Sequence, residues 1–236
     1  MSRVLVVCAD DLGASAGTNS GIARAHDQGI VTSASMMVHR AAALDATRLA
    51  RERPGLSVGL HLDLGEWVLR RGRWEPAYEV VRLDAPDAVE AEVTLQLERF
   101  RALLGRDPTH LDSHQHIHLD EPVRAPALRV AKALGIPVRA IASPAQHCGS
   151  FYGQDGDGEP LLEAITVDGL ATLLRALPDG VTELVCHPGS DPELDSPYRL
   201  ERLRELEALC DPAVGALLKG EGIELKSFAE LPRCES

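Results

Sequence analysis

Aromatic residues are scarce in this sequence and account for only 3% of its 236 residues. A platform of stacked aromatic side chains for single-stranded nucleic acid is therefore not expected. The formal net charge of −12 points the same way, because a phosphate-binding surface needs a basic patch and none is visible. No apolar run approaches the roughly 18 residues of a membrane span. We expect a protein that binds neither nucleic acid nor membrane.

Paired cysteines are lacking as well. The five cysteines are widely spaced and form no C-x-x-C pair, which argues against a disulfide framework and against a thiolate zinc site. A G-x-S-x-G nucleophile, a P-loop and a dinucleotide-binding glycine pattern are also absent. The first strand pattern begins directly after Met1 and Ser2, which leaves no room for a signal peptide. The predicted location is the reducing cytoplasm.

Apolar residues make up 44% of the sequence, enough for a sizeable core, and short strand patterns alternate with helical ones. This alternation is typical of a parallel α/β fold. Strands are predicted at residues 4–9, 31–38, 56–62, 110–112, 136–141, 181–186 and 223–225. Helices are predicted at residues 17–29, 41–53, 86–104, 123–134, 168–177, 197–209 and 214–219. These six or seven β/α units predict a single domain over residues 1–236, folded as a closed or incomplete (β/α) barrel with its chemistry on the C-terminal face of the strands.

Two stretches interrupt the alternation of strand and helix patterns. Residues 66–82 contain both tryptophans of the chain and predict a hairpin or excursion over the site. Residues 143–160 are rich in Gly, Asp and Ser and are longer than an ordinary connection, which indicates a functional loop. The aromatic side chains of these stretches, among them Phe151 and Tyr152, either stack on a sugar ring or anchor their own loops. After the long loop, Asp168 is the predicted N-cap of the next helix.

Carboxylates and histidines gather at the predicted strand ends. Asp10 and Asp11 follow the first strand, His61 ends the third, the run D-S-H-Q-H-I-H lies at residues 112–118 and His187 follows the sixth. Because the C-terminal ends of parallel strands converge on one face, these groups predict one site. Two buried neighbouring carboxylates are costly without a compensating cation, and successive strand residues point opposite ways. One of the pair is therefore expected to bind a metal and the other to move a proton.

The run at residues 112–118 strengthens the metal prediction. Continued as a strand, it would bring its aspartate and its three histidines onto one side. Two imidazoles two residues apart can reach one ion, and an Asp with two His leaves open positions for water, as a catalytic metal requires. Nitrogen and oxygen ligands without thiolate favour zinc or another late divalent metal over magnesium.

Several other polar residues have more than one interpretation. His187 is a ligand, a general acid or a core histidine, and we favour the general acid because the ordinary pKa of histidine lies near neutrality. Arg139 orients a carboxylate or binds substrate if it points inward, and is a surface charge if it points outward. His26 and His110 are interpreted as structural. Nothing in the pattern fixes a role for His39.

Five motifs occur in order along nearly the whole chain: A-D-D-L-G at residues 9–13, G-I-V-T-S at 29–33, G-L-H-L at 59–62, T-H-L-D-S-H-Q-H-I-H at 109–118 and C-H-P-G at 186–189. Together they resemble the motifs of the YdjC-like carbohydrate deacetylases, which include chito-oligosaccharide deacetylases and hopanoid-biosynthesis relatives. Two departures concern the specificity for the sugar rather than the reaction. Leu12 stands where the family usually has Phe, and the excursion after His61 is short.

The resemblance implies a barrel similar to that of the NodB-like polysaccharide deacetylases, and a homodimer. It also implies one divalent metal held by Asp11, His61 and His114, with Asp10 as the general base. Magnesium is often given for the family, whereas the ligand chemistry leans to zinc, so that both Mg²⁺ and Zn²⁺ stay open.

The predicted reaction is hydrolysis of an N-acetyl group from a small sugar or glycoconjugate. In it Asp10 takes the proton of a metal-activated water and His187 protonates the departing amine. The predicted catalytic residues are Asp10, His187 and Arg139, and the predicted substrate contacts are His116, Phe151 and Tyr152. One alternative is a barrel metallohydrolase acting on a phosphoester or another amide, although none of the three lysines lies at a predicted strand end. The other is a non-catalytic sugar- or metal-binding protein.

Overall fold

The computed structural model describes residues 2–156, 158–191 and 198–232. Its strands are β1 (Arg3–Leu12), β2 (Ser33–Met36), β3 (Ser57–Leu62), β4 (Gly65–Arg70), β5 (Arg73–Glu79), β6 (Leu111–Ser113), β7 (Gln146–Cys148), β8 (Gly180–Cys186) and β9 (Ile223–Leu225). Its α-helices are α1 (Ala16–Gln28), α2 (Ala43–Glu52), α3 (Pro86–Leu104), α4 (Arg124–Leu134), α5 (Val167–Arg175), α6 (Leu200–Leu209) and α7 (Pro212–Gly220). Short 3₁₀ turns cover His114–Leu119 and Phe228–Glu230.

Seven strands of the described residues form one parallel sheet in the order β6-β3-β2-β1-β8-β7, with β9 beside the beginning of β1. The sheet does not close on itself within the described part of the chain, because β6 and β7 are its two end strands. The predicted incomplete (β/α) barrel is therefore confirmed. All the strands that carry predicted site residues end at the same edge, which is what brings those residues together.

The central strand β1 is buried on both faces, as a strand covered on both sides of a parallel sheet should be. Leu5 and Val7 belong to the main core, together with side chains of the helices. Val6 and Cys8 pack on the other face. Because side chains alternate along a strand, Asp10 follows Val6 and Cys8 onto this second face. That face is where the site lies.

The predicted helices are present, and their observed ends lie within two residues of the predicted ones where both are described. The predicted beginning of α6 at Pro197 lies outside the described residues. Helix α3 matches its prediction, with Pro86 in its first turn and the left-handed Gly105 (φ 69°) as its cap. No helix among the described residues is long and apolar enough to cross a membrane.

The predicted excursion over the site is a two-stranded antiparallel hairpin made of β4 and β5. Its turn residues Arg71 and Gly72 both have positive φ angles, 53° and 75°. Two successive left-handed residues are the signature of a tight hairpin turn whose twist matches that of its strands. The hairpin prediction is confirmed.

Three local predictions are wrong. Residues 136–141 are not a strand: Val138 makes a single parallel bridge to Leu111, and its backbone then pairs with Ala142 as the chain turns back. Asp168 is not the N-cap of α5, because the Thr166 hydroxyl accepts the hydrogen bond of Gly169 N at 3.0 Å. The stretch 143–160 is not all loop, since it contains the short strand β7, which pairs with β8.

The run 112–118 is also not a continuous strand. Strand β6 ends at Ser113, and Gln115 and His116 then adopt left-handed backbone angles (φ 51° and 56°) inside a 3₁₀ turn. A left-handed non-glycine residue costs roughly 1–2 kcal/mol, so such a pair persists only where its surroundings determine it. The side chains consequently diverge, and the expected common face of Asp112, His114, His116 and His118 does not exist.

The two histidines interpreted as structural make internal contacts. His26 Nδ1 lies 2.8 Å from the carbonyl oxygen of Val31. His110 is completely enclosed, with its Nε2 2.9 Å from Ser35 Oγ and its ring stacked on Phe228. Burial lowers the pKa of His110 to about 4, so that it is neutral at neutral pH.

Candidate active site and metal centre

A cavity of about 500 Å³ opens at the C-terminal edge of the sheet. Its floor is made by the ends of β1, β3 and β8, and one wall by the β4–β5 hairpin. The predicted residues that line it are Asp10, Asp11, His61, His114, His116, Phe151, Tyr152 and His187. A concave site with converging titratable groups is the usual form of an active site.

Asp10 and Asp11 face different partners because the backbone changes between them. Asp11 has a left-handed φ of 68°, and the pairing of β1 with β2 shifts in register between Ala9 and Leu12. Both carboxylates are 2% exposed. Burial of this kind requires a positive partner for each, and two arginines provide it.

Arg139 is the partner of Asp10. Its two terminal nitrogens donate to the two oxygens of Asp10 at 2.6 and 2.7 Å, a bidentate pair. The same guanidinium lies 2.7 Å from Asp112 and donates from Nε to Glu183 at 2.7 Å. Burial raises the pKa of Asp10, but the charges of Arg139 and His61 and the hydrogen bonds from Arg139 together outweigh it, and the pKa stays below its usual value. Asp10 is therefore ionised at neutral pH.

Arg139 thus points inward although the residues around it are not a strand. The bridge at Val138 and the turn that follows direct it into the sheet interior, where it is 1% exposed. Its placement matches the interpretation in which it orients a carboxylate. One arginine beside three acidic groups leaves local negative charge, which suits a cation-binding site.

Asp11, His61 and His114 form one of the clusters of the described residues that are able to hold a metal ion, and it is the one that matches the predicted ligands. Asp11 Oδ1 lies 3.4 Å from His61 Nε2 and 3.2 Å from His114 Nδ1. This buried oxygen has no hydrogen-bond partner among the described residues. A buried acceptor without a donor is costly, and an ion shared with two imidazoles would satisfy it. The donor set of one carboxylate and two imidazoles fits a late divalent metal.

The potential around the two imidazoles also favours a cation. Burial lowers the pKa of both rings, but the neighbouring carboxylates outweigh it and raise the pKa of His61 to about 10 and that of His114 to about 9. For His61 the main carboxylates are Asp112 and Asp10, and for His114 they are Asp11 and Glu66. A site that holds protons this firmly offers a divalent cation the same attraction.

Asp112 fixes the orientation of His61, a role that the sequence did not assign to it. Its Oδ1 lies 2.7 Å from His61 Nδ1, and its Oδ2 accepts a hydrogen bond from Ser35 Oγ at 2.6 Å. A carboxylate behind a histidine presents the other ring nitrogen toward a metal. The pairing of β3 with β6 places His61 directly beside Asp112. The sequence feature that could have indicated this role is the position of Asp112 as the first residue of the D-S-H-Q-H-I-H run.

His187 lies beside Asp10, but its pKa differs from the expected value. Its Nε2 is 4.0 Å from Asp10 Oδ2, and its backbone nitrogen donates to Glu205 at 2.5 Å. Burial lowers the pKa of His187 to about 4, although Asp10 and Asp11 act in the opposite direction. The premise of a pKa near neutrality is therefore wrong, and the ring is neutral at pH 7.

Helix α6 supplies two charged residues that the sequence did not reveal. Arg202 donates to Asp11 Oδ2 at 2.5 Å and is 7% exposed. Glu205 is completely buried and accepts hydrogen bonds from His187 N and the Tyr198 hydroxyl. Arg202 and Glu205 are three residues apart, and this spacing places both side chains on the buried face of the helix. The spacing is the sequence feature that could have identified them.

The predicted substrate contacts have different surroundings. His116 lines the cavity, and its ring lies 5.3 Å from that of His147. Tyr152 is 36% exposed and stacks on Tyr198 with a centroid distance of 4.5 Å. Phe151 borders the cavity, yet it has no solvent-exposed surface and packs in the main core. A sugar cannot stack on a fully enclosed ring, so the stacking interpretation of Phe151 is corrected to that of a loop anchor.

The fold places the chain in the class of parallel α/β half-barrels, and in this chain an aspartate and two histidines lie at the C-terminal edge of the sheet. The family 4 carbohydrate esterase from Streptomyces lividans, in complex with acetate, has the same fold, with a TM-score of 0.57 at 14% identity over 100% of this chain and 97% of that one. The chain belongs to the YdjC-like protein family, which matches residues 4–220. The family predicted from the five motifs is therefore confirmed.

Similar proteins match along nearly their full lengths. The chitooligosaccharide deacetylase of Serratia marcescens is 33% identical over 98% of this chain and 100% of its own. The carbohydrate deacetylase of Geobacillus stearothermophilus is 33% identical over 98% of each. A crystal structure of a candidate cellobiose-phosphate cleavage protein from Enterococcus faecalis V583 superimposes with a TM-score of 0.77 at 25% identity, over 97% of this chain and 98% of that one.

Proposed function

We propose that this chain is a metal-dependent carbohydrate N-deacetylase, which removes the acetyl group from an N-acetylated sugar or glycoconjugate. The observation that carries the proposal is the separation of the two strand-end carboxylates. Asp10 is held by Arg139 and faces the cavity, whereas Asp11 lies with His61 and His114. The names of the relatives, chitooligosaccharide deacetylase and carbohydrate deacetylase, support the reaction and the class of substrate. We further propose that residues 1–236 act as one domain.

One divalent cation would be held by Asp11, His61 and His114. When bound, such an ion supplies Lewis-acid polarisation of a carbonyl and lowers the pKa of a coordinated water. The two imidazoles favour Zn²⁺ over Mg²⁺ by ligand preference, while the abundance of the metal also counts. Asp112 would hold the His61 ring in place for this role, as its hydrogen bond of 2.7 Å indicates.

Asp10 would act as the general base. It is ionised, buried and held at both oxygens by Arg139, so that it does not need to reorganise when it accepts the proton of the attacking water. The water oxygen bonds to the acetyl carbon while its proton passes to Asp10. Arg139 would act as a positioning residue for this base.

His187 would deliver a proton to the departing nitrogen. Because the ring is neutral at pH 7, it has to receive this proton during the reaction rather than carry it beforehand. Asp10 Oδ2, 4.0 Å from His187 Nε2, is the group next to it that has just taken a proton. The carbon–nitrogen bond then breaks, and the products are the free amine and acetic acid, which loses its proton to solvent and leaves as acetate. Tyr152 and His116 would contact the sugar from the cavity wall.

Replacing Asp10 by Asn tests the proposal. We expect the D10N variant to fold and to retain its metal but to lose acetate release from N-acetylglucosamine oligomers by about 10²–10⁴-fold, the usual contribution of one general base. Acetate would be quantified enzymatically, and metal by elemental analysis of the same sample. Acetate release at the wild-type rate would exclude Asp10 as the base, and sugar binding without acetate release by the wild type would favour a non-catalytic binding protein.

The cellular location and the oligomeric state of the enzyme are proposed from other observations. A cytoplasmic location agrees with the four free cysteines of the described chain, Cys8, Cys148, Cys186 and Cys210. A homodimer is proposed from the family resemblance. Sedimentation velocity at micromolar concentration would measure the mass in solution, and a monomer would refute this part of the proposal.

A further inference from the structure

The β4–β5 hairpin is a wall of the candidate active site. Glu66, Trp67, Leu69 and Trp74 of this hairpin line the cavity. A two-stranded hairpin is not stable by itself in water, so contacts with the rest of the molecule must fix its position. At its base, the Tyr78 hydroxyl donates to Asp63 at 2.7 Å.

A second attachment lies over the site. The Gln115 side chain accepts a hydrogen bond from Trp67 N at 2.8 Å and donates one to Trp67 O at 2.7 Å. The primary amide thereby pairs with both backbone polar groups of one strand residue, as a neighbouring strand would. Within the hairpin the residue opposite Trp67 is Pro76, which has no N–H to offer, and the register shifts between Glu66 and Trp67.

Backbone strain directs Gln115 to this position. Gln115 and His116 are the two successive left-handed residues after β6. In this conformation His114 faces Asp11, Gln115 faces the hairpin and His116 lines the cavity. Strain of this kind is kept at functional sites where contacts determine it. The segment that carries a candidate metal ligand therefore also holds the wall of the cavity.

The attachment also brings the hairpin close to that ligand. Glu66, the residue before Trp67, places its Oε2 3.8 Å from His114 Nε2. If the hairpin moved away, Glu66 and Trp67 would leave the cavity together.

We propose that Gln115 is a positioning residue that holds the β4–β5 hairpin closed over the site and so sets the affinity for the sugar. The part that concerns the sugar rests on the proposed function. Gln115 does not touch the reacting atoms; it acts through Trp67 and Glu66. Its loss should weaken substrate binding and leave the metal and the chemical step in place.

The experiment uses Q115A and Q115M. The second variant keeps the length of the side chain but removes both hydrogen bonds. Since the chain has two tryptophans, Trp67 and Trp74, and both lie in the hairpin, tryptophan fluorescence, excited where tyrosine does not absorb, reports on this hairpin alone. We expect red-shifted emission, about twofold stronger quenching by acrylamide and faster amide exchange at Trp67 in both variants. With N,N′-diacetylchitobiose, KM should rise about 10-fold, as two hydrogen bonds would give, while kcat stays within about twofold.

Q146A is the matched control, because Gln146 is an exposed glutamine on β7 outside the cavity wall. It should leave fluorescence, KM and metal content at wild-type values. Unchanged quenching and unchanged KM in both Q115 variants would overturn the proposal, as would loss of metal in both. A change in fluorescence and amide exchange would support the attachment even if the wild type releases no acetate, and in that case the proposed function alone fails.

Discussion

Two neighbouring aspartates have separate environments because one backbone angle differs between them. Asp10 follows the alternation of β1, whereas Asp11 has a φ of 68° and turns toward His61 and His114. Strand alternation predicted different surroundings for the two carboxylates, but not the left-handed backbone at Asp11 that contributes to them. Their counter-ions were not predictable either: Arg139 comes from a turn, and Arg202 from a helix far along the chain.

Replacing Asp112 tests whether this residue sets the affinity for the metal. In the D112N variant the amide cannot fully replace the carboxylate that orients His61, and we expect the affinity for Zn²⁺ to fall about 10–100-fold. Isothermal titration of the metal-free protein with Zn²⁺ would measure it. D63N, at a buried aspartate bonded to Tyr78, is the control and should bind as tightly as the wild type. Equal affinities in D112N and the wild type would contradict the orienting role.

At the scale of elements, the predictions succeeded where periodicity is the signal and failed where single residues decide. Helix α3 was predicted from its apolar spacing, and its observed ends, Pro86 and Leu104, are the predicted ones. The path after β6 was not, because two successive left-handed residues, Gln115 and His116, leave no mark in a hydrophobic pattern. As a result the H-x-H pair does not act as a pair: His114 reaches Asp11, while His116 faces His147.

The N-terminus of α5 offers a test of local stability. Thr166 is its cap, through the hydrogen bond from Gly169 N, and the T166A variant should lose about 1 kcal/mol of unfolding free energy. D168A, which removes the residue expected to be the cap, should lose less than half as much. Urea unfolding followed by circular dichroism would compare the two variants. A larger loss in D168A would restore the original prediction.

At the scale of the whole molecule, the barrel and the site were predictable for one reason. In a parallel sheet all strands end at one edge, so Asp11, His61 and His187 had to converge once the strands were recognised. Outside the strands, the sequence patterns do not show which side chains are buried. The enclosure of Phe151 and the buried charges of α6 depend on tertiary packing, which a single sequence does not display.

A bound cation should stabilise the whole fold, because its three candidate ligands come from β1, β3 and the segment after β6. At a metal concentration of 100 times Kd the gain is about 2.7 kcal/mol. Differential scanning calorimetry with Zn²⁺ or with EDTA would show it as a higher unfolding temperature. The H114A variant should show no such shift, whereas H39A should respond as the wild type does. An equal shift in H114A would exclude His114 as a ligand.

The pairing of β1 has a consequence for the order in which the protein is made. β1 is synthesised before its neighbours β8 and β9, which begin only at Gly180 and Ile223. At about 5–20 residues per second, the ribosome needs roughly ten to thirty seconds to deliver β8. During that interval the apolar strand β1 lacks its partner β8 and is accessible to chaperones or to aggregation. The central strand of the sheet is therefore made before the other described strands, and its pairing is completed only after β8 and β9 have followed.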